Sequence, residues 1–392
     1  MKLKLFYAYT FLINTVFILP IIVPFYRDEL GLTFHDFLIA EALFAFVVIA
    51  LEVPSGWFAD VMGRKITIVI ASISGIIGYT LIMTASGFWQ ATLGQAVIGI
   101  AVSFHSGTLS AMLYDTLLSA GREDEYRQRE GFRHGLGLYA VAFGCAMGGI
   151  LYQWNHYLPW ILEVVCLCAS LVIALCMKEP ERHKQEVQKN PLHDMFVTMR
   201  YALHGHKDIG ALIGLTALIF GSTKIFLWAQ QPYYAALQIP ESVYGFLLGG
   251  AMLLGGAAGH FGHFILREWQ GLAVVKILLL VVVSICCISA AALSYPGFAV
   301  LTLGSVIWGF GWPRIQETIN HAVSSERRAT ILSTASLMIS LTFIPLSLLL
   351  GWIEENHDIT LALLIHGTII ALLGGIFVTW LKSRKYLMID TN

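Results

Sequence analysis

Long apolar runs separated by very short polar breaks dominate the chain. A run of about 20 apolar residues crosses the hydrocarbon core of a bilayer as a helix. Twelve such runs can be placed, at roughly 5–26, 37–59, 66–86, 90–119, 133–154, 160–177, 209–231, 243–265, 272–294, 298–322, 329–352 and 359–381. One long polar segment, Lys178 to Asp208 with Pro180, Pro191 and mixed charges, divides them six and six. The pattern predicts an all-α membrane protein made of an N-terminal six-helix bundle (1–177), a cytoplasmic linker (178–208) and a C-terminal six-helix bundle (209–392). Within the linker, Met195 to Leu203 has the spacing of a short amphipathic helix at the membrane surface, although a plain tether is the simpler reading.

Composition agrees. Of 392 residues 57% are hydrophobic and only 12% charged, with a mean hydropathy of +0.72. That leaves too little polar surface to cover a soluble globule. The net charge of -1 hides where the charges sit. With the first run starting inside, the inner segments collect Lys2, Lys4, Arg64, Lys65, the Arg122–Arg133 group, the linker bases, Arg327, Arg328 and Lys382–Lys385, while outer loops hold only Arg27. Short-loop Lys and Arg set orientation, so both termini are expected in the cytoplasm. Cys145, Cys166, Cys168, Cys176, Cys286 and Cys287 all fall in apolar runs and read as small packing residues. The first run is too long for a signal peptide and lacks a small-residue cleavage site, so an uncleaved first span is expected.

The halves echo one another. Pro24 to Thr33 after the first run has a counterpart in Pro232 to Glu241 after the seventh, and Gly56-x3-Asp60-x3-Arg64 lines up with Gly259-x3-His263-x3-Arg267. Such repeats are a mark of transporters, here of two parallel bundles related by an axis along the membrane normal.

Between the second and third runs the chain reads Gly56, Asp60, Gly63, Arg64, Lys65 with the spacing G-x-x-x-D-x-x-G-R-K. This resembles the signature loop of the major facilitator superfamily of transporters, and every position is matched. The resemblance implies that fold, with twelve transmembrane helices in two pseudo-symmetric bundles. It also implies roles: Asp60 against the start of the eleventh span near Ala329, Arg64 paired with an acid at the inner end of the fourth span, a place that Asp115 fits, and the group as a whole a conformational latch. Gly56 would permit close helix contact, Gly63 the tight turn, and Arg64 with Lys65 hold the loop inside. Two other family patterns are altered. Gln95 stands where an arginine tied to proton coupling is usual, and Gly135, Gly144, Gly148 and Gly149 keep the glycines of the antiporter pattern without its proline, as a small-residue packing face also would. Ser324 to Ser333 and Tyr114 to Leu117 look like segments of bacterial exporter-like members.

Ionisable residues inside spans are costly and therefore functional candidates. Glu41 and Glu52 are eleven residues apart, which at about 100° per residue returns to one face roughly 16 Å further along. Lys224, Trp228 and Gln231 share a face of the seventh span; Arg314, Glu317 and His321 share one of the tenth, after the helix-disturbing Trp312-Pro313. Arg314 and Glu317 also have the spacing of a plain ion pair. Glu163 sits near an outer helix end and is expected to be solvated; lone His105 and His366 read as packing histidines. Lys224 and Glu41 have the poorest structural explanation and are expected to face a cavity, one binding an anionic group and the other carrying a proton.

No phosphate-binding loop, H-E-x-x-H pattern or metal-ligand spacing is present, and His183, His193, His204 and His206 lack acidic or cysteine partners at useful intervals. No catalytic residue, cofactor, metal or nucleic-acid partner is expected. The sequence reads as a monomeric secondary transporter in a bacterial inner membrane, its partners the lipid bilayer, a small-molecule substrate and protons. Proton-coupled export of a small amphipathic compound or metabolite is the first reading and proton-linked uptake or exchange of an anionic metabolite the second; a polytopic membrane enzyme lacks clustered catalytic groups.

Overall fold

A computed structural model describes residues 3–180, 207–265, 272–291, 293–322 and 328–382. Among them there are fifteen α-helices and no strand: α1 (Leu3–Asn14), α2 (Ile22–Asp28), α3 (Phe34–Met62), α4 (Arg64–Met83), α5 (Phe88–His105), α6 (Thr108–Leu118), α7 (Tyr126–Trp154), α8 (Leu158–Cys176), α9 (Lys207–Ala236), α10 (Glu241–Ile265), α11 (Leu272–Ala291), α12 (Tyr295–Thr302), α13 (Gly304–Ala322), α14 (Arg328–Asn356) and α15 (Ile359–Lys382). Local chemistry explains several boundaries. Thr33 and Asp36 form a reciprocal capping box at the start of α3, which satisfies two amides that a first turn leaves free. Ser294 caps α12 through Gly297, with proline in its first turn.

Eleven helical segments of the described residues are long and apolar enough to cross a membrane, and they correspond to the second through twelfth apolar runs. The first run departs from expectation. Instead of one span over 5–26 it forms α1 and α2 with a break between Asn14 and Ile22. Pro20 explains this, since a proline there supplies no N–H and clashes with the carbonyl four residues back if the helix continues. Asn14 and Thr15 donate side-chain hydrogen bonds back to Thr10 O and Phe11 O at 2.7 and 2.8 Å, occupying carbonyls at the end of α1. Elsewhere prolines are absorbed. Helix α9 runs through Pro232 to Ala236, beyond the expected end at 231, and α13 continues through Pro313 rather than being disturbed by it. Neighbouring helices and side chains re-satisfy such sites in a membrane.

The chain forms two compact units, Met1–Leu192 with Pro240–Gly249, and His193–Ile239 with Gly250–Asn392. In the first, Phe6, Tyr9, Ile68, Leu109, Met112, Leu113, Leu117 and Ala174 make a buried cluster that joins α1, α4, α6 and α8. In the second, α9 is the central helix: 78% of its most apolar window is buried, against 28–44% for the other spans. A helix apolar on all sides is one surrounded by protein. Outward surfaces are apolar too, with Trp89 82%, Leu280 66% and Ile376 63% exposed, as a lipid-facing exterior requires.

Helices α4 and α5 pack with their backbones touching. A methyl group on Gly94 would stand 2.9 Å from Gly78 O and 2.5 Å from Ile82 Cγ1. Overpacking of this kind costs about 1–3 kcal/mol. Gly94→Ala is therefore expected to lower the thermal midpoint of the purified protein, whereas Gly131→Ala, a mid-helix position with nothing within 4 Å, is expected to leave it unchanged or raise it. Equal midpoints for the two variants would contradict the packing argument.

Candidate functional site

The loop between α3 and α4 is a single residue, Gly63, with φ +120° and ψ 150°, a conformation that only glycine adopts without strain. That sharp reversal puts the end of α3 beside the start of α4. Arg64 reaches Asp60 at 2.8 Å and Asp115, on α6, at 3.4 Å. The Arg64 and Asp115 side chains are 17% and 20% exposed and Asp60 55%, so the pair that ties α4 to α6 is the better shielded one. Gly56 differs from expectation. Among the described residues no atom lies within 4 Å of where its side chain would begin, so none of the described helices makes the expected contact there.

Glu179 completes the loop and was not singled out from the sequence. Its two carboxylate oxygens accept the backbone amides of Arg64 at 2.8 Å and Lys65 at 2.7 Å. Those amides begin α4 and have no partner within the helix; a carboxylate also meets the positive end of the helix dipole there. Lys65 Nζ in turn donates to Leu175 O at 2.6 Å, in the last turn of α8, where a cation suits the unpaired carbonyls. The readable signal was Pro180, which stops α8 and leaves Glu179 just past its end. Ser324–Arg327, Arg267 and the linker histidines lie outside the described residues, as do the side chains of His263 and His321.

A second polar group lies inside the first unit. Glu41 is 4% exposed and Gln95 3%, and both neighbour Tyr26 on α2. Tyr79 on α4 is influenced electrostatically by Glu163 and by Glu41. Glu163, expected to be solvated, is only 2% exposed, because the first turns of α8 pack against the broken first run; its carboxylate accepts the Phe17 amide at 2.8 Å. Glu52 is exposed, so the two acids of α3 share a direction but not an environment: spacing fixes the azimuth of a side chain, not what stands opposite it. Tyr9 bridges Ser72 Oγ, at 3.0 Å, and His105 Nε2.

In the second unit, half-buried Lys224 places its ammonium 4.3 Å from the centre of the Phe343 ring, a cation–π arrangement. Trp228 and Gln231, further along α9, are buried at 7% and 3%. Arg314 stacks on Phe310, 3.8 Å from the ring centre, and donates to Phe310 O at 3.2 Å; Glu317 is exposed and electrostatically linked to it. His366 is buried against Ser222 Oγ at 3.1 Å. At the end of α3 opposite Gly63, Arg27 bridges Asp28 and Glu241 at 2.7 and 2.6 Å, Tyr152 donates to Asp28 at 3.0 Å, and His156 meets Glu29.

Comparison with known proteins fits this architecture. A family profile described as Major Facilitator Superfamily matches residues 5–344; the chain belongs to that superfamily, and it is a transporter rather than an enzyme. Among curated proteins it is similar to a class D tetracycline resistance protein of Salmonella ordonez, 22% identical over 169 residues, a stretch covering 43% of this chain and 41% of that protein. The match thus spans less than half of the relative's length. Among solved structures it resembles the nucleoside transporter NupG, with a TM-score of 0.79 and 14% identity over 98% of this chain and 100% of that one. It also resembles a POT family transporter in complex with 5-aminolevulinic acid, with a TM-score of 0.71 and 13% identity over 97% and 95%. At these identities the likeness is one of fold.

The Glu29 contact gives a pH expectation. His156 first, then Tyr157, hold the Glu29 carboxyl below the usual glutamate range. A carboxyl lowered on folding contributes stability above its unfolded pKa, about 4.3 for Glu, and loses that contribution as pH falls through the lower folded value. Acidification from about pH 6 to about pH 3 is therefore expected to lower the thermal midpoint of wild type more than that of Glu29→Gln. Parallel curves would contradict it.

Proposed function

We propose that this Major Facilitator Superfamily member exports a small amphipathic compound or metabolite in exchange for protons. In this reading it sits as a monomer in a bacterial inner membrane, both termini in the cytoplasm. The observation that carries it is the interior of the first unit, where Glu41 and Glu163 are both buried and both act electrostatically on Tyr79. Carboxyl groups held away from water among apolar and aromatic side chains are the usual means of passing protons through a membrane protein. Similarity to a tetracycline resistance protein supports the outward direction.

Asp60, Arg64 and Asp115, with Gly56, Gly63 and Lys65 in the same loop, act in this proposal as a conformational latch on the cytoplasmic side. A part-exposed ion pair contributes only about 0.2–1 kcal/mol, which suits a fastening that opens in every cycle. Lys224, Trp228 and Gln231 line the substrate path in the second unit, with Arg314 and Glu317 nearer its mouth and Glu52 on the first unit's open face. The half-buried ammonium of Lys224 over Phe343 favours a second reading, proton-linked uptake or exchange of an anionic metabolite. The fold neighbours, a nucleoside transporter and a POT family transporter in complex with 5-aminolevulinic acid, keep that class of small polar solutes in view.

Cells expressing the chain are expected to accumulate less of one member of a panel of amphipathic compounds, tetracycline included, and to lose the difference when an uncoupler collapses the proton gradient. Flux unaffected by the uncoupler would overturn proton drive in either direction. Arg64→Ala is expected to reach the membrane at normal level and to slow transport by about tenfold, equivalent to ~1.4 kcal/mol of conformational coupling. Lys224→Ala is expected to change apparent affinity rather than membrane level. Wild-type flux by Arg64→Ala would remove the latch assignment.

A further inference from the structure

The break in the first apolar run is where a backbone amide meets a distant buried carboxylate. Between Asn14 and Ile22 the backbone leaves the helix, so amides of the break lose the carbonyl partners that a continuous helix would give them. In an apolar interior each such group must be paired by the protein itself. The Phe17 amide is paired by a carboxylate oxygen of Glu163, 2.8 Å away and 146 residues along the chain. Phe17 is 6% exposed and Glu163 2%. Among the described residues Glu163 forms no ion pair with a Lys, Arg or His side chain.

The surroundings hold this contact in place. Helix α7 presents Gly144 and Gly148 to the broken segment. A side chain on Gly144 would begin 2.6 Å from Val16 N, and one on Gly148 2.0 Å from Phe17 O. The backbone at Val16 and Phe17 therefore lies directly on that face, which accounts for two glycines that the sequence left between a packing stripe and an antiporter pattern. On the other side Phe25 packs on Trp160, their ring centres 4.6 Å apart, and Trp160 lies one turn before Glu163 on α8. The titratable groups that feel Glu163 are Tyr79 on α4, Cys145 on α7 and Cys166 on α8 itself, and Tyr79 also feels Glu41 on α3. None of these can donate the positive charge that an ionised carboxylate in this position lacks.

We infer that Glu163 binds a proton at the expense of its hydrogen bond to the Phe17 amide, so that loading the site loosens the backbone at the break in the first run. The amide takes one carboxylate oxygen; a proton on the carboxyl leaves that contact a neutral, weaker acceptor. An ionised carboxylate is the stronger acceptor for the amide, and a neutral carboxyl is the form that apolar surroundings tolerate without it. The proton comes from water and returns to it, and no other bond is made or broken. Its place in a transport cycle rests on the proton-coupled reading above, while the weakening of the contact itself does not.

The test is hydrogen–deuterium exchange of the full chain in lipid nanodiscs, corrected for the intrinsic pH dependence and read on peptides that isolate Phe17. In wild type, protection at Phe17 is expected to fall by about tenfold on acidification, the worth of one hydrogen bond to a charged acceptor. Glu163→Gln keeps an acceptor oxygen without a titrating charge, and its protection is expected to be independent of pH. Glu163→Ala is expected to lack protection throughout, while Glu41→Gln retains the wild-type response. PH-independent protection in wild type overturns the inference, as does unchanged protection in Glu163→Ala. So does a response to sodium at fixed pH in place of one to acid. Uncoupler-insensitive flux combined with the expected exchange pattern would remove proton drive and leave the proton site standing, which separates the two failures.

Discussion

A helix that stops inside an apolar surrounding strands backbone amides that nothing but the chain itself can pair. Much of the first unit is arranged around that constraint. At the break in the first run the Phe17 amide takes Glu163, and at the Gly63 turn the amides of Arg64 and Lys65 take Glu179. Both acids come from α8 or the residues just after it, so one helix stabilises two separate interruptions. An unpaired buried amide costs several kcal/mol, a penalty that bears on Phe17 and Glu163; the Arg64 and Lys65 amides lie at an exposed turn, where Glu179 stands in for water and meets the helix dipole.

The same economy of partners shapes the loop. Gly63 makes the turn so tight that Asp60, Arg64 and Lys65 emerge at one place, and each is then used differently. Arg64 joins α4 to α6 through Asp115, Lys65 joins α4 to the last turn of α8, and Glu179 caps α4. Three helices are thus tied by contacts that are individually weak and partly wet. The acids of the interior, Glu41 and Glu163, lie far from this loop along α3 and α8, and Glu163 is held by the Phe17 amide.

Much of this was legible in the sequence. Runs of apolar residues located eleven spans, since length and hydrophobicity are all that a bilayer asks of a helix. Gly63, Arg64 and Asp115 were legible because a fixed spacing at a hairpin constrains few geometries. Glu163, Glu179 and the break in the first run were not. Pro20 was visible, but prolines at positions 54, 232, 313 and 345 sit inside continuous helices, so proline alone does not announce a break. What distinguishes Pro20 is a carboxylate 146 residues away along the chain, a long-range fact that no local pattern carries. Gly56 differed in the opposite direction: a motif position invited a contact that no described residue makes.

The central claim is that distant carboxylates pair the backbone amides at two interruptions of the first unit, the break in the first run and the Gly63 turn. Amide exchange at Arg64 and Lys65 in Glu179→Ala tests it most directly. The account predicts that both amides lose protection relative to wild type while the interior of α4 from Ile68 onward keeps it. Full protection at Arg64 and Lys65 without the Glu179 carboxylate would contradict it.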